Sequence, residues 1–148
     1  MKIYIIDTGS ANLNSVVQAF KRLGYEAVIS SDTDKMKDAD RLVLPGVGTA
    51  CAVMDGIEKF KLYDFILNTK KPLLGICLGM QIQATDSSEV PLNVAGEVIK
   101  CLDIVPSHVV KIPDTGLRLP HMGWNTVPHT DHPLFAGIRQ DAYFYFVH

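Results

Sequence analysis

The chain has 148 residues, 47% hydrophobic, 20% charged and 8% aromatic, which excludes a disordered, collagen-like or coiled-coil chain and fits one globular domain. Its 14 basic and 16 acidic residues leave a formal net charge of −2, so there is no electrostatic case for nucleic acid or a membrane surface. No apolar run approaches the ~18–20 residues of a membrane span, and the apolar part of Met1–Asp7 is too short for a signal peptide.

Lys2 to Asp7 predicts a buried strand that ends in Asp-Thr-Gly-Ser. Asn12 to Leu23 predicts a helix, because Leu13, Val16, Val17, Phe20 and Leu23 recur at helical spacing and Gly24 supplies a stop. Tyr25 to Ile29 reads as a second strand, and Ser31 to Asp40 as a short helix and loop. Arg41 to Leu44 is a third strand, closed by Pro45-Gly46-Val47-Gly48. Thr49 to Phe60 and Tyr63 to Asn68 read as helices. Pro72 to Ile76 is a buried strand, and a helix over Leu78 to Ala84 follows at once. Short buried strands alternating with helices predict a doubly wound, mainly parallel α/β sheet. After Thr85 the pattern turns β-rich and loop-rich, through Val94 to Leu102, Ile104 to Ile112 and Leu117 to Val127. Ala142 to Val147 is a further strand. This late part is expected in the same domain, as antiparallel strands and loops over one end of the sheet. The apolar run Tyr143-Phe144-Tyr145-Phe146-Val147 then stands where a polar terminus is usual.

Three cysteines, Cys51, Cys77 and Cys101, are an odd number without tight spacing. That speaks against a disulfide framework or a zinc site and for a reducing, cytoplasmic location. Gly75-Ile76-Cys77-Leu78-Gly79 has the spacing Gly-x-nucleophile-x-Gly between a strand and a helix. A tight turn there pushes the central side chain out of the sheet edge, and flanking glycines relieve crowding. A thiol at a helix N-terminus is favoured as thiolate, and the Leu78 N–H points where an oxyanion would form. The competing reading is a core cysteine at a strand end. Pro45-Gly46-Val47-Gly48 could offer backbone N–H groups as a cradle or second oxyanion donor. It lacks a third glycine and a Walker lysine, so it is no nucleotide motif.

Asp7-Thr8-Gly9-Ser10 superficially matches aspartic proteases, but those are all-β and here a helix follows. His129-Thr130-Asp131-His132 lies in a proline-bounded loop and reads as solvated, with no third metal ligand. A cysteine hydrolase needs a histidine base oriented by a carboxylate or amide. No histidine here has an acidic partner in a recognisable catalytic pattern, and the residues alone choose neither His121 nor His148.

Pro72-Leu73-Leu74-Gly75-Ile76-Cys77-Leu78-Gly79-Met80-Gln81 resembles the nucleophile motif of class I, triad-type glutamine amidotransferases. Within that class four further stretches resemble the glutaminase subunits of imidazole glycerol phosphate synthases. They are Asn12-Leu13-Asn14-Ser15-Val16, Leu44-Pro45-Gly46-Val47-Gly48, Pro120-His121-Met122-Gly123-Trp124-Asn125 and Tyr145-Phe146-Val147-His148. The resemblance covers the chain in motif order. It implies an amidotransferase-like, flavodoxin-like sheet and glutamine hydrolysis through a thioester on Cys77. It places Leu78 with Val47 or Gly48 in the oxyanion hole, and Gly48, Gln81 and Tyr145 against glutamine. It places Asn12 near the active-site face and Pro120, His121, Met122 and Trp124 at the interface with a (β/α)₈-barrel cyclase subunit, into which ammonia would pass. It implies no cofactor and no metal.

The family's base and acid lie in a Phe-His-Pro-Glu motif, which these 148 residues lack. No residue present is assigned the triad His or Glu, and His148 matches a motif position other than the base. The sequence is therefore expected to be a single, incomplete domain truncated at its C-terminus, inactive by itself. A non-catalytic docking module and an unrelated cysteine hydrolase on a similar sheet are the competing readings.

Overall fold

Along Ile3–Ile6, strand β1, the side chains alternate between two apolar clusters. Ile3 and Ile5 face one way, Tyr4 and Ile6 the other, as a strand buried on both sides requires. The computed structural model describes residues 1–9, 12–90, 98–114 and 116–148. Ser10 of the Asp7–Ser10 stretch and positions 94–97 of the expected Val94–Leu102 segment lie outside the described residues.

Two compact units make up the chain, Met1–Lys111 and Ile112–His148. In the first, the elements run β1, α1 (Leu13–Arg22), β2 (Ala27–Ser30), α2 (Thr33–Met36), β3 (Arg41–Gly46), α3 (Ala50–Lys59), α4 (Tyr63–Asn68), β4 (Leu73–Cys77) and α5 (Leu78–Gln81). The four strands form one parallel sheet in the order β2-β1-β3-β4. Leu13, Val16, Val17 and Phe20 of α1 pack on Ile3, Ile5 and Val43. On the opposite face Ile6, Leu42 and Leu44 meet Ala50, Val53 and Ile57 of α3, Ile66 of α4 and Leu78 of α5. Helices on both faces of a parallel sheet are the doubly wound arrangement. A smaller sheet in the order β6-β5-β7 joins β5 (Asp86–Ser87), β6 (Ile99–Lys100) and β7 (His108–Val109).

The boundaries depart from the sequence expectation at three places. Strand β2 begins at Ala27 rather than Tyr25, because Gly24 (φ +81°) closes α1 and the Tyr25 N–H donates to the Phe20 carbonyl at 3.0 Å. That backward bond is the Schellman closure, and it draws Tyr25 into the helix end. Strand β3 continues through Pro45 and Gly46, beside Ile76 and Cys77. Its pairing with β1 ends at Val43, so Pro45 stands where no β1 carbonyl needs a donor. Helix α5 stops at Gln81 instead of reaching Ala84. The carbonyls of Ile82, Gln83 and Ala84 accept from the N–H groups of residues 102–105, so they are committed outside the helix.

The second unit holds an antiparallel pair, β8 (Met122–Thr126) with β9 (Tyr143–Val147), and a short 3₁₀ turn at Pro133–Phe135. Strand β7, by contrast, pairs in parallel with β5, where only antiparallel strands were expected late in the chain. Among the described residues no helix is long and apolar enough to cross a membrane.

Helix α3 reaches the end of β1 closely enough to be tested. A Cβ on Gly56 would lie 1.9 Å from the Thr8 carbonyl oxygen, whereas one on Gly24 meets nothing within 4 Å. Gly56→Ala forces two backbones apart and is expected to cost about 3 kcal/mol. Gly24→Ala carries only the positive-φ penalty, about 1–2 kcal/mol. Urea denaturation of both variants checks the order; an equal loss would remove the close-approach account.

Candidate active site

The two parallel strands β3 and β4 end at the same level, with Gly46 in register with Cys77. Past those residues the chain turns in two directions. After Cys77 it enters the one-turn helix α5, and after Gly46 it runs through Val47 and Gly48 into α3. The Gly46–Cys77 pairing therefore sets the Val47–Gly48 loop and the Cys77 turn side by side at the C-terminal edge of the sheet, where open α/β sheets bind their ligands.

Cys77 takes φ 54° and ψ −120°. A residue with a Cβ rarely adopts a positive φ, and such backbone strain typically costs about 1–3 kcal/mol. The packing on either side holds it there. A Cβ on Gly79 would lie 1.8 Å from the Leu44 carbonyl oxygen, and one on Gly46 would lie 2.7 Å from the Gly79 nitrogen. A Cβ on Gly75 would lie 2.1 Å from Gln83 Nε2 and 2.5 Å from Met80 Cα. The glycines flanking the cysteine are thus needed because α5 folds back directly onto β3 and β4. Gln83 Nε2 donates to the Gly79 carbonyl at 3.1 Å and ties the turn down.

Cys77 is exposed, Cys51 half-buried and Cys101 buried. The Asp55 carboxylate beside Cys51 pushes that thiol above its ordinary value, and Cys51 Sγ donates to Asp55 Oδ2 at 3.6 Å. Burial pushes the Cys101 thiol up as well. Neither surrounding favours a thiolate, and Cys77 is the exposed thiol of the three.

Val47 is exposed, and Gly48 has φ +93° with open space where a Cβ would be. The far end of this loop is anchored. Thr49 caps α3, its Oγ1 accepting from the Ala52 N–H at 3.2 Å. Glu89 Oε2 accepts from the Ala50 N–H at 3.1 Å, and the Glu89 N–H donates to Ser87 Oγ at 3.1 Å. Sequence reasoning missed Glu89, because its partner lies 39 positions away and no local pattern marks it. Leu78 is buried and Gln81 half-buried within α5. Asn12 is the N-cap of α1, its Oδ1 accepting from the Ser15 N–H at 3.3 Å.

The remaining candidates belong to the second unit. Met122, Trp124, Tyr145 and Val147 share one face of the β8–β9 pair and all are exposed. Trp124 lies opposite Tyr145, their rings edge to face at 5.4 Å. Pro120 follows a cis peptide. His121 and His148 lie on the other face, with ring nitrogens 2.9 Å apart.

The structure gives one histidine a carboxylate partner and corrects the expectation for another. The β5–β7 register brings His108 Nδ1 to 2.9 Å from Asp86 Oδ1, so one histidine does have a carboxylate partner. Chain pairing, not local sequence, makes that contact. His129 is not solvated: its ring stacks on Phe135 at 4.7 Å, Gln140 Nε2 donates to its carbonyl at 2.7 Å, and its Nε2 is buried. His132 Nδ1 accepts from the Leu134 N–H and caps the 3₁₀ turn. Among the described residues no group of three or more His, Cys, Asp or Glu side chains is placed to hold a metal ion.

The family model of class-I glutamine amidotransferases matches residues 4–148. An imidazole glycerol phosphate synthase subunit HisH from Photorhabdus laumondii is 52% identical over 149 residues, covering 100% of this chain and 74% of that protein. The HisH subunit of Mannheimia succiniciproducens is 54% identical, covering 97% of this chain and 71% of its own length. That of Escherichia coli K12 is 49% identical, with 100% and 73% covered. A crystal structure of a glutamine amidotransferase superposes with a TM-score of 0.70 at 16% identity, over 97% of this chain and 70% of that one.

The strain at Cys77 gives a measurement independent of activity. Cys77→Gly should be more stable than Cys77→Ala by about 0.5–1 kcal/mol, after allowing for the extra chain entropy glycine loses on folding. Chemical denaturation compares the two, and an alanine variant of equal or greater stability would show an unstrained turn.

Proposed function

The chain belongs to the class-I glutamine amidotransferase family, in its HisH branch, and we propose that Cys77 is the nucleophile of a glutaminase subunit supplying ammonia to an imidazole glycerol phosphate synthase in histidine biosynthesis. The observation that carries this reading is the strained, exposed Cys77 in register with Gly46. That register brings a nucleophile and a glycine loop together at one sheet edge, as acyl transfer requires.

Cys77 Sγ attacks the side-chain amide carbon of glutamine. The negative charge that develops on the amide oxygen is met by the backbone N–H of Leu78 and that of Val47 or Gly48. Such donors are each worth roughly 10²–10³ in rate. The carbon–nitrogen bond then breaks, the amide nitrogen takes up a proton and leaves as ammonia, and a γ-glutamyl thioester remains. Water attacks the thioester, releases glutamate and returns the thiol. Gly48, Gln81 and Tyr145 are the residues assigned to holding glutamine. Gly48 suits the role because its missing side chain leaves open space beside the loop.

Partner docking is assigned to Pro120, His121, Met122 and Trp124, with Asn12 near the active-site face. Support for Met122 and Trp124 lies in the exposed face they share with Tyr145 and Val147, since contiguous exposed apolar surface marks interaction sites. The partner is a cyclase subunit with a (β/α)₈ barrel, into which ammonia passes shielded from water; the pair works as a cytoplasmic heterodimer. The Val47 peptide, exposed and bounded by glycines, is the element whose two conformations would couple glutamine hydrolysis to the cyclase site. No histidine of residues 1–148 is assigned as the base. His108 has an orienting carboxylate, but the pair is a solvent-exposed one.

In the full-length complex, Cys77→Ala should reduce glutaminase turnover to background while leaving affinity for the cyclase unchanged. A chain of these 148 residues alone should likewise show no turnover above its own Cys77→Ala control, with or without the cyclase. Turnover retained by the variant complex would remove the nucleophile assignment. Trp124→Ala should weaken cyclase binding by about 2 kcal/mol, roughly thirtyfold in Kd. Titration calorimetry measures this, and unchanged affinity would take Trp124 out of the interface.

A further inference from the structure

Gln83 follows closely on the end of α5, which runs Leu78–Gln81. In a continued helix its backbone N–H would donate to the Gly79 carbonyl. It donates instead to the Met80 carbonyl at 3.1 Å, and the side-chain Nε2 donates to the Gly79 carbonyl at 3.1 Å. Gly79 is buried, and a buried carbonyl left without a donor is costly. The side chain thus stands in for the N–H that the turn took away. The same amide lies directly over Gly75, where an added Cβ would sit 2.1 Å from Nε2. Gln83 therefore touches both glycines that bracket Cys77.

The backbone of the same residue is fixed. Its carbonyl accepts from the N–H groups of Ile104 at 2.9 Å and Val105 at 2.8 Å. On either side, the Ile82 and Ala84 carbonyls accept from the Leu102 and Asp103 N–H groups at 2.8 and 2.9 Å. Asp103 takes φ 51°, and its Oδ1 accepts from Thr85 Oγ1 at 2.6 Å. The Gln83 side chain is a strut from this closed turn to the first turn of α5. A strained residue persists only while its surroundings over-determine it. Cys77 keeps φ 54° while the Gly79 peptide stays in place. Releasing that peptide lets the turn relax and carries the Leu78 N–H with it.

We propose that Gln83 is a positioning residue, holding Cys77 Sγ and the Leu78 N–H in the relative placement that attack on a glutamine amide needs. This rests on the reading of Cys77 as the nucleophile. Gln83 is assigned no contact with glutamine, so it acts through the turn. The distance between nucleophile and oxyanion donor matters in the transition state, whereas Gly48, Gln81 and Tyr145 are assigned to holding the bound substrate. Loss of the strut therefore lowers kcat rather than affinity for glutamine. A misplacement of about 1 Å can cost about a hundredfold in rate.

The test is steady-state glutamine hydrolysis by the full-length complex. Gln83→Met keeps the length of the side chain without a donor, and Gln83→Glu keeps its shape but replaces the donor by a carboxylate at neutral pH. Each should lower kcat about tenfold and leave KM within about threefold of the parent. Gly24→Ala, destabilised at the end of α1, should keep the parent kcat and so separates lost stability from lost placement. Cys77→Ala in the same assay reports on the underlying reading. Turnover that survives it removes the nucleophile and the positioning role together. An inactive Cys77→Ala beside Gln83 variants at the parent kcat overturns the positioning alone. Hydrogen exchange gives a readout apart from turnover. The Ile82 amide, which donates to the Leu78 carbonyl at 3.0 Å, should exchange about tenfold faster in Gln83→Met, relative to the Ile57 amide of α3. Circular dichroism checks the fold, and if one Gln83 variant does not fold the other decides. A rise in KM at the parent kcat, or an unchanged Ile82 exchange rate, would also overturn the proposal.

Discussion

The site depends on how closely α5 returns onto β3. With the Gly79 Cα placed so that a Cβ would lie 1.8 Å from the Leu44 carbonyl oxygen, no residue but glycine fits, and the turn between β4 and α5 has almost no freedom. Cys77 absorbs the consequence as a positive φ. The same approach places Leu78 in the core with Leu44, Ala50, Val53 and Ile57. Burial of these apolar side chains, worth about 1.5–3 kcal/mol for each large one, is large enough to hold one strained residue in place. Stability and the exposed thiol are therefore two results of one packing arrangement.

The loop beside the cysteine is fixed at its ends and open in its middle. Gly46 is locked by strand register, and Ala50 is held by the Glu89 carboxylate. Between them Val47 is exposed and Gly48 sits at positive φ. Peptides held at both ends but unpacked between can occupy more than one conformation at small cost, because little buried surface is lost when they turn. Thr49 adds to the anchoring by capping α3, so the helix start does not move with the loop.

Much of this was legible locally. The apolar run Ile3–Ile6, the helical spacing from Leu13 to Phe20 and the stop at Gly24 each report a near-neighbour constraint, and the strands and helices follow them. The Gly-x-Cys-x-Gly spacing marked the turn because both glycines stand within two residues of the cysteine, although the atoms that crowd Gly79 belong to Leu44 of β3. Boundaries moved where a distant partner intervened. Residues 102–105 took the carbonyls that would have prolonged α5, and β4 extended β3 past a proline. The Glu89 anchor, the His108–Asp86 pair and the stacking of His129 on Phe135 had no signal, since each joins residues that only pairing or packing brings together.

The amino-acid sequence by itself determined the strand-to-helix turn that presents Cys77 and the family to which the chain belongs. Each is marked by residues that are consecutive in the chain. Tertiary structure alone decided that Gly46 stands level with Cys77, that Cys77 is the accessible thiol while Cys51 and Cys101 are disfavoured, and that His121 and His148 meet ring to ring. Those outcomes depend on sheet register and burial. Register is a property of two strands, and burial a property of the whole fold, so neither can be written in any one segment.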